Sequence, residues 1–348
     1  MNFKLSVFLI SIFLLSISSV HAQTTEPEII TNDPTYQAAA DYSAAHRGDA
    51  VLVYVDGILV FEEYQNGYDG ARPHLLASGT KSFSCAIAVA AIQDGLLSFD
   101  ERVADTITEW ADDPQRSTIT VRQLLSLTSG MEGAQDVLQG PAIADKNIAA
   151  LSIPLTYAPG ERFQYGPSNY YVFGELIERK LGGEDVVDYL MRRVLDPIDL
   201  VVGNWNRDQE GNPNLPGGAS LTARNWAKFG QLILQGGMWN DEQLLQTDLL
   251  NECFIGSNAN PNYGLTWWLQ YSLTDIVDAE RTVVTSPEPG NIPEGVILGE
   301  TTPDIIFAAG AGKQRMYIIP SQNTVIVRLG RQDRRFDDAE FLTLLTGS

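Results

Sequence analysis

Leu76-Ala77-Ser78-Gly79-Thr80-Lys81-Ser82-Phe83, running on into an apolar stretch from Cys85 to Ile92, is the part of this chain around which the rest can be arranged. If a helix begins at Ser78, the step of three residues to Lys81 brings hydroxyl and amine onto one face, about 5–6 Å apart at Cβ and within reach at their tips. A serine hydroxyl attacks poorly until a base takes its proton, and a lysine desolvated between packed elements has its pKa lowered enough to serve. The free N–H groups and positive dipole end of a helix start favour the negative charge that develops beside Ser78 during acyl transfer. On its own a serine three residues ahead of a lysine is weak evidence, since a chain of this size contains about one by chance. The surrounding sequence has to decide.

Upstream, Thr31-Asn32-Asp33-Pro34 reads as a helix start leading into Tyr36 to His46. Val51 to Val55 and Ile58 to Tyr64, joined by Asp56-Gly57, predict a β-hairpin. From Ser78 to about Leu250 helical signals dominate: one helix stops at Gly95, another opens at Ile119 to Leu125, and Tyr170 to Leu181 and Ala223 to Leu234 carry apolar residues at helical spacing. After Trp267-Trp268 strands return at Ile305 to Gly310, Arg315 to Ile319 and Thr324 to Leu329, with Pro320 to Asn323 as a turn, and Phe336 to Leu345 closes the chain as a helix. Strands at both ends around a helical middle predict an α+β fold: one antiparallel sheet built from distant segments and flanked by helices, with a mostly helical subdomain inserted. The expected division is a sheet subdomain over about 23–77 and 255–348 and a helical subdomain over about 78–254.

Residues 1–22 carry Lys4, an apolar run from Leu5 to Val20 and a small-residue cleavage site ending at Ala22, which predicts a signal peptide and a secreted or periplasmic mature protein. No further stretch is apolar enough to span a bilayer. The formal net charge of −21 becomes −22 when Lys4 leaves with the leader, which disfavours nucleic acid as a partner. Cys85 and Cys253 are the only cysteines. An oxidising compartment permits them to pair, but Cys85 falls on the helical face of Ser78, where burial as a small apolar side chain is the simpler expectation. His46 and His74 are the only histidines after the leader, and no cysteine–histidine cluster has metal-ligand spacing, so no metal or cofactor is called for. A Ser-His-Asp hydrolase built on either histidine lacks the Gly-x-Ser-x-Gly elbow that would carry its serine.

Thr80-Lys81-Ser82-Phe83 with the small-residue helix Ala86 to Ala91 resembles the nucleophile helix of the serine β-lactamase and penicillin-binding superfamily. More narrowly it resembles the β-lactamase-related serine hydrolases, which include class C β-lactamases, family VIII esterases and aminohexanoate-oligomer hydrolases. Gly95-Leu96-Leu97 to Val103, Ile119 to Met131, Pro159-Gly160 with Phe163 and Tyr165, Gly217 to Arg224 and Tyr263 to Trp268 follow in the family's order, so the resemblance covers nearly the whole mature chain. It implies that Tyr165, matching the first residue of a Tyr-x-Asn motif whose asparagine is here Pro167, relays the proton between Ser78 and the leaving group. Asn169 does not fit that register and is given no role. The resemblance further implies that Ala308-Ala309-Gly310 stands where the family has Lys-Thr-Gly or His-x-Gly, and that the N–H groups of Ser78 and Ala311 hold the oxyanion. Gly310 suits a strand closely approached by substrate. Ala308 removes the cation that meets a substrate carboxylate, unless Lys313 or Arg315 turns into the cleft instead.

The expected function is that of a secreted serine hydrolase that cleaves a small-molecule ester or amide through an acyl-enzyme on Ser78. Neutral substrates are favoured over β-lactams and D-Ala-D-Ala peptides. A β-lactamase or peptidase, and a non-catalytic binding or sensor protein, are the alternatives. The sequence assigns neither the acyl and leaving groups nor an oligomeric state, and it does not decide between Lys81 and Tyr165 as the base for acylation.

Overall fold

Apolar runs from the two ends of the chain meet in one antiparallel sheet. The computed structural model describes residues 33–138, 140–272 and 296–346; the leader expected over 1–22 lies outside the described residues. The first hairpin is β1 (Gly48–Val55) and β2 (Ile58–Tyr64), and its turn residues Asp56 and Gly57 both take positive φ, as a two-residue turn between twisted strands requires. Short strands follow in the middle: β3 (His74–Leu75), β4 (Asn204–Trp205), β5 (Ala219–Leu221), β6 (Met238–Trp239) and β7 (Glu242–Gln243). The last group is β8 (Trp268–Gln270), β9 (Ile305–Gly310), β10 (Gln314–Ile319) and β11 (Thr324–Gly330). Among the described residues the main sheet runs β2-β1-β11-β10-β9-β8, so β1 from the start of the chain pairs with β11 from its end, Val53 facing Ile326.

Both faces of this sheet are covered, which explains why β9, β10 and β11 read as unbroken buried runs instead of alternating ones. Adjacent residues of β10 report the two coverings. Arg315 reaches Asp338 on the C-terminal helix Asp338–Thr346, while a side chain added at Gly230 of the helix Ala223–Leu234 would strike Met316. The second face also carries the segment around Ser78, whose Phe83 ring lies 4.4 Å from that of Phe229.

The α+β reading holds, and helices occupy Pro34–Ala45, Phe83–Gln93, Val121–Leu125, Ser168–Lys180 and Ala223–Leu234 close to where periodicity predicted them. Val121–Leu125 is opened by a capping box between Thr120 and Gln123. Two findings depart from the sequence reading. The middle also contains a small sheet of order β3-β5-β4, whose strands are too short to carry a period. And Cys85 is not a free buried thiol: it is bonded to Cys253, 168 residues away, with both cysteines fully buried. Among the described residues no helix is long and apolar enough to cross a membrane.

Candidate active site

The segment carrying Ser78 is a 3₁₀ helix, Ala77–Ser82, that passes into the α-helix Phe83–Gln93, so the α-helix starts later than Ser78. Its own side chains account for the tighter winding. The Thr80 hydroxyl donates to Ala77 O at 2.7 Å and that of Ser82 to Gly79 O at 2.8 Å, each closing a three-residue step that suits 3₁₀ geometry. Residues three apart then eclipse one another, which brings Ser78 and Lys81 together more directly than an α-turn does. Ala77 enters the turn at φ 48°, a left-handed conformation costly for a residue with a Cβ. The surroundings hold it there: Leu76 N–H donates to Ala219 O and Ala219 N–H donates to Thr80 Oγ1, so the small central sheet clasps both sides of Ser78.

Lys81 Nζ donates to Ser78 Oγ at 3.1 Å and to Pro216 O at 2.8 Å, and it lies 5.0 Å and 5.4 Å from the ring centroids of Tyr165 and Tyr170. The lysine is 4% exposed. Burial pushes its pKa down to about 7, so a substantial neutral fraction is present at neutral pH. The amine that touches Ser78 is therefore also the one that has lost its preference for the proton. His74 instead faces Asp49 at 3.3 Å and His46 faces Asp333 at 3.5 Å.

Tyr165 presents its ring face to Lys81 and is itself held by aromatic neighbours, stacked on Trp268 and edge-on to Tyr263. Behind it the hydroxyls of Tyr170 and Tyr263 share a buried hydrogen bond of 2.8 Å, and burial raises both phenols well above the ordinary value, so they remain neutral. Sequence reasoning found Tyr165 but not this shell. Nor did it find the Pro216 carbonyl: a backbone acceptor leaves no mark on residue type beyond its place before Gly217-Gly218. Asn169, passed over in the sequence, is buried and accepts a hydrogen bond from Ser129 at 2.6 Å.

Gly310 ends β9 against the turn that carries Ser78, and its lack of a side chain has a reason within the chain itself. A Cβ there would stand 2.0 Å from Leu76 O and 3.0 Å from Gly79 N, so the close neighbour is the chain's own backbone. Gly310→Ala is expected to lower the urea midpoint by the equivalent of about 1–3 kcal/mol, as for other overpacked sites, and to reduce turnover because the displaced atoms carry Ser78. A variant with the wild-type midpoint and wild-type turnover would show that this contact does not matter. Ala311, next along, is exposed. Ala308 pairs with Met316 and so lies on the face of the Ser78 segment, whereas Lys313 and Arg315 are buried against Asp338 on the opposite side. Neither cation lies on the face of Ala308, where the resemblance had left open a replacement for the motif's cation.

A family model described as Beta-lactamase matches residues 35–346. Protein flp of Staphylococcus aureus (strain MW2) is 27% identical over 193 residues, covering 49% of this chain and 38% of its own length. A lovastatin esterase of Penicillium rubens is 26% identical over 211 residues, covering 48% of this chain and 51% of its own. The chain thus spans little more than a third to a half of the length of these curated relatives. Among solved structures, a penicillin binding protein from Bacillus halodurans superposes with a TM-score of 0.62 at 16% identity, over 91% of this chain and 99% of that one.

Proposed function

The chain belongs to the beta-lactamase family, and from that premise we propose that it is a serine hydrolase that cleaves neutral esters or amides through an acyl-enzyme on Ser78. One observation carries the proposal: a fully buried lysine of depressed basicity donates to the Ser78 hydroxyl at 3.1 Å. In its neutral form Lys81 takes the Ser78 proton as the oxygen attacks the carbonyl, and Tyr165 beside it passes a proton to the leaving group. The N–H groups of Ser78 and Ala311 hold the tetrahedral oxyanion. Water then repeats the attack on the acyl-enzyme and releases the acid. The disulfide between Cys85 and Cys253 supports a working place in an oxidising compartment, outside the cytoplasm, in keeping with the leader predicted from residues 1–22.

The preference for neutral substrates rests on Ala308 and on the burial of Lys313 and Arg315. A β-lactam or a peptide with a free C-terminus brings a carboxylate, and the lack of a charge-assisted partner for it forfeits roughly 1.5–3 kcal/mol, or about tenfold to more than a hundredfold in rate. The test is kcat/KM for a neutral p-nitrophenyl ester against nitrocefin and a D-Ala-D-Ala peptide in the same buffer and salt. The ester is expected to lead by at least that factor. Turnover of either anion on a par with the best ester would refute the preference and turn the reading toward a β-lactamase or peptidase. If no probe acylates the protein, the hydrolase reading fails.

A further inference from the structure

The turn between β9 and β10 has its backbone held by side chains, of which Gln314 and Arg328 are buried. Gln314 Nε2 donates to Ala311 O at 3.2 Å, Gly312 N–H donates to Gln332 Oε1 at 3.0 Å, and Arg328 Nη1 donates to Lys313 O at 2.8 Å. Gly312 and Lys313 both sit at positive φ, so the turn is tight and, at Lys313, strained. The carbonyl of Gly310 is held by Arg315, whose Nη1 donates to it at 3.2 Å and to Gln314 O at 3.0 Å.

Arg315 is fully buried and is held in turn by a two-point pair with Asp338, Nε to Oδ1 at 2.5 Å and Nη2 to Oδ2 at 3.2 Å. Tyr317 donates its hydroxyl to the same carboxylate at 2.5 Å, and Lys313 Nζ lies 3.5 Å from it. Burial opposes ionisation of Asp338, but the charges of Arg315 and Lys313 outweigh it and keep the carboxyl down at about 2. Stability alone is a poor reason for such a cluster, because buried ion pairs are often no better than apolar residues of the same size.

Geometry supplies another reason. In a trans peptide the C=O and N–H vectors are antiparallel. A donor that fixes the Gly310 carbonyl therefore fixes, in the opposite direction, the N–H of Ala311. The same bond polarises the peptide and strengthens that N–H as a donor. We propose that Arg315, locked by Asp338, is a positioning residue that aims the Ala311 N–H at the oxyanion formed on Ser78. It does not touch substrate. The inference rests on the reading of Ser78 as nucleophile and Ala311 as oxyanion donor.

The test compares wild type with Arg315→Met and Arg315→Lys, counting competent sites by saturating fluorophosphonate labelling so that turnover is expressed per site. Loss of aim at one oxyanion donor is expected to lower kcat per site about tenfold to a hundredfold while KM for a neutral p-nitrophenyl ester changes less than about twofold. Affinity for a phenylboronic acid, which adds to Ser78 as a tetrahedral anion, is expected to fall by the same factor as kcat. Lysine keeps the charge beside Asp338 and is expected to recover folding without recovering kcat. If Arg315→Met does not fold, Asp338→Asn carries the test, since it removes the charge that locks the guanidinium. Folded variants whose kcat per site and boronate affinity stay within about twofold of wild type overturn the proposal, as does a fall in kcat with boronate affinity unchanged. A wild type that fluorophosphonate does not label at Ser78 overturns the hydrolase reading and this inference with it; labelled wild type with indifferent variants overturns this inference alone.

Discussion

Ser78→Ala is expected to abolish ester hydrolysis, with kcat lowered by about 10⁶-fold if Ser78 is the nucleophile, a loss of the size seen when a hydrolase loses the atom that attacks. Covalent labelling by a fluorophosphonate, read by intact mass, is expected to vanish with it. The fold should survive. Among the described residues Ser78 makes no capping bond in the 3₁₀ turn, and its hydroxyl accepts from Lys81, which keeps Pro216 O as a second partner. The turn enters through Ala77 in a strained conformation, a common mark of a site shaped for reaction at some expense to stability. A folded Ser78→Ala protein that still turns over esters would remove Ser78 from the mechanism.

Lys81→Met is the next largest expected effect. If Lys81 is the base, acylation measured in single turnovers is expected to fall by about 10²–10⁴-fold, whereas His46→Ala and His74→Ala leave it nearly unchanged, each histidine being turned to a carboxylate of its own. Only the neutral amine accepts a proton, so wild-type acylation should rise with pH through about 7 and then level off. Stability should respond in a linked way. The folded state holds Lys81 at about 7 against an ordinary 10.5, so between those values the unfolded chain binds more protons and stability rises with pH. Below about 7 both states are charged and the burial penalty is felt in full. The methionine variant is therefore expected to gain most over wild type in its urea midpoint at pH 7 and below, with the gap closing toward pH 10.5. An acylation rate insensitive to the loss of the amine, with a large loss from either histidine variant, would move the base elsewhere.

How much of this could be read from residues alone follows the range of each signal. The Asp56-Gly57 hairpin and the helix Ala223–Leu234 are local patterns, and they stand where the sequence placed them. That strands from both ends share one sheet followed from the order of elements, whereas the pairing of β1 with β11 within it did not. Ser78 and Lys81 were legible because three residues separate them on one helical turn. What escaped was non-local or lacked a side chain. The two- and three-residue strands of the small sheet show no period, yet they clasp the turn that carries Ser78. Pro216 acts through its carbonyl. Gly310 was taken as a point of close approach by substrate, and the neighbour the structure shows, Leu76 O, is far away in sequence. The cysteine pair was permitted but not expected, because position on a helix says nothing about what packs against it.

That pair gives the molecule a covalent ring. The chain from Cys85 to Cys253 is closed on itself through sulfur, so one backbone cut anywhere inside the ring, by a protease for instance, opens it without releasing a fragment. Ser78 and Lys81 lie before the ring, Tyr165 and Pro216 within it and Ala311 after it. After such a nick, all of these residues still belong to one covalently connected molecule.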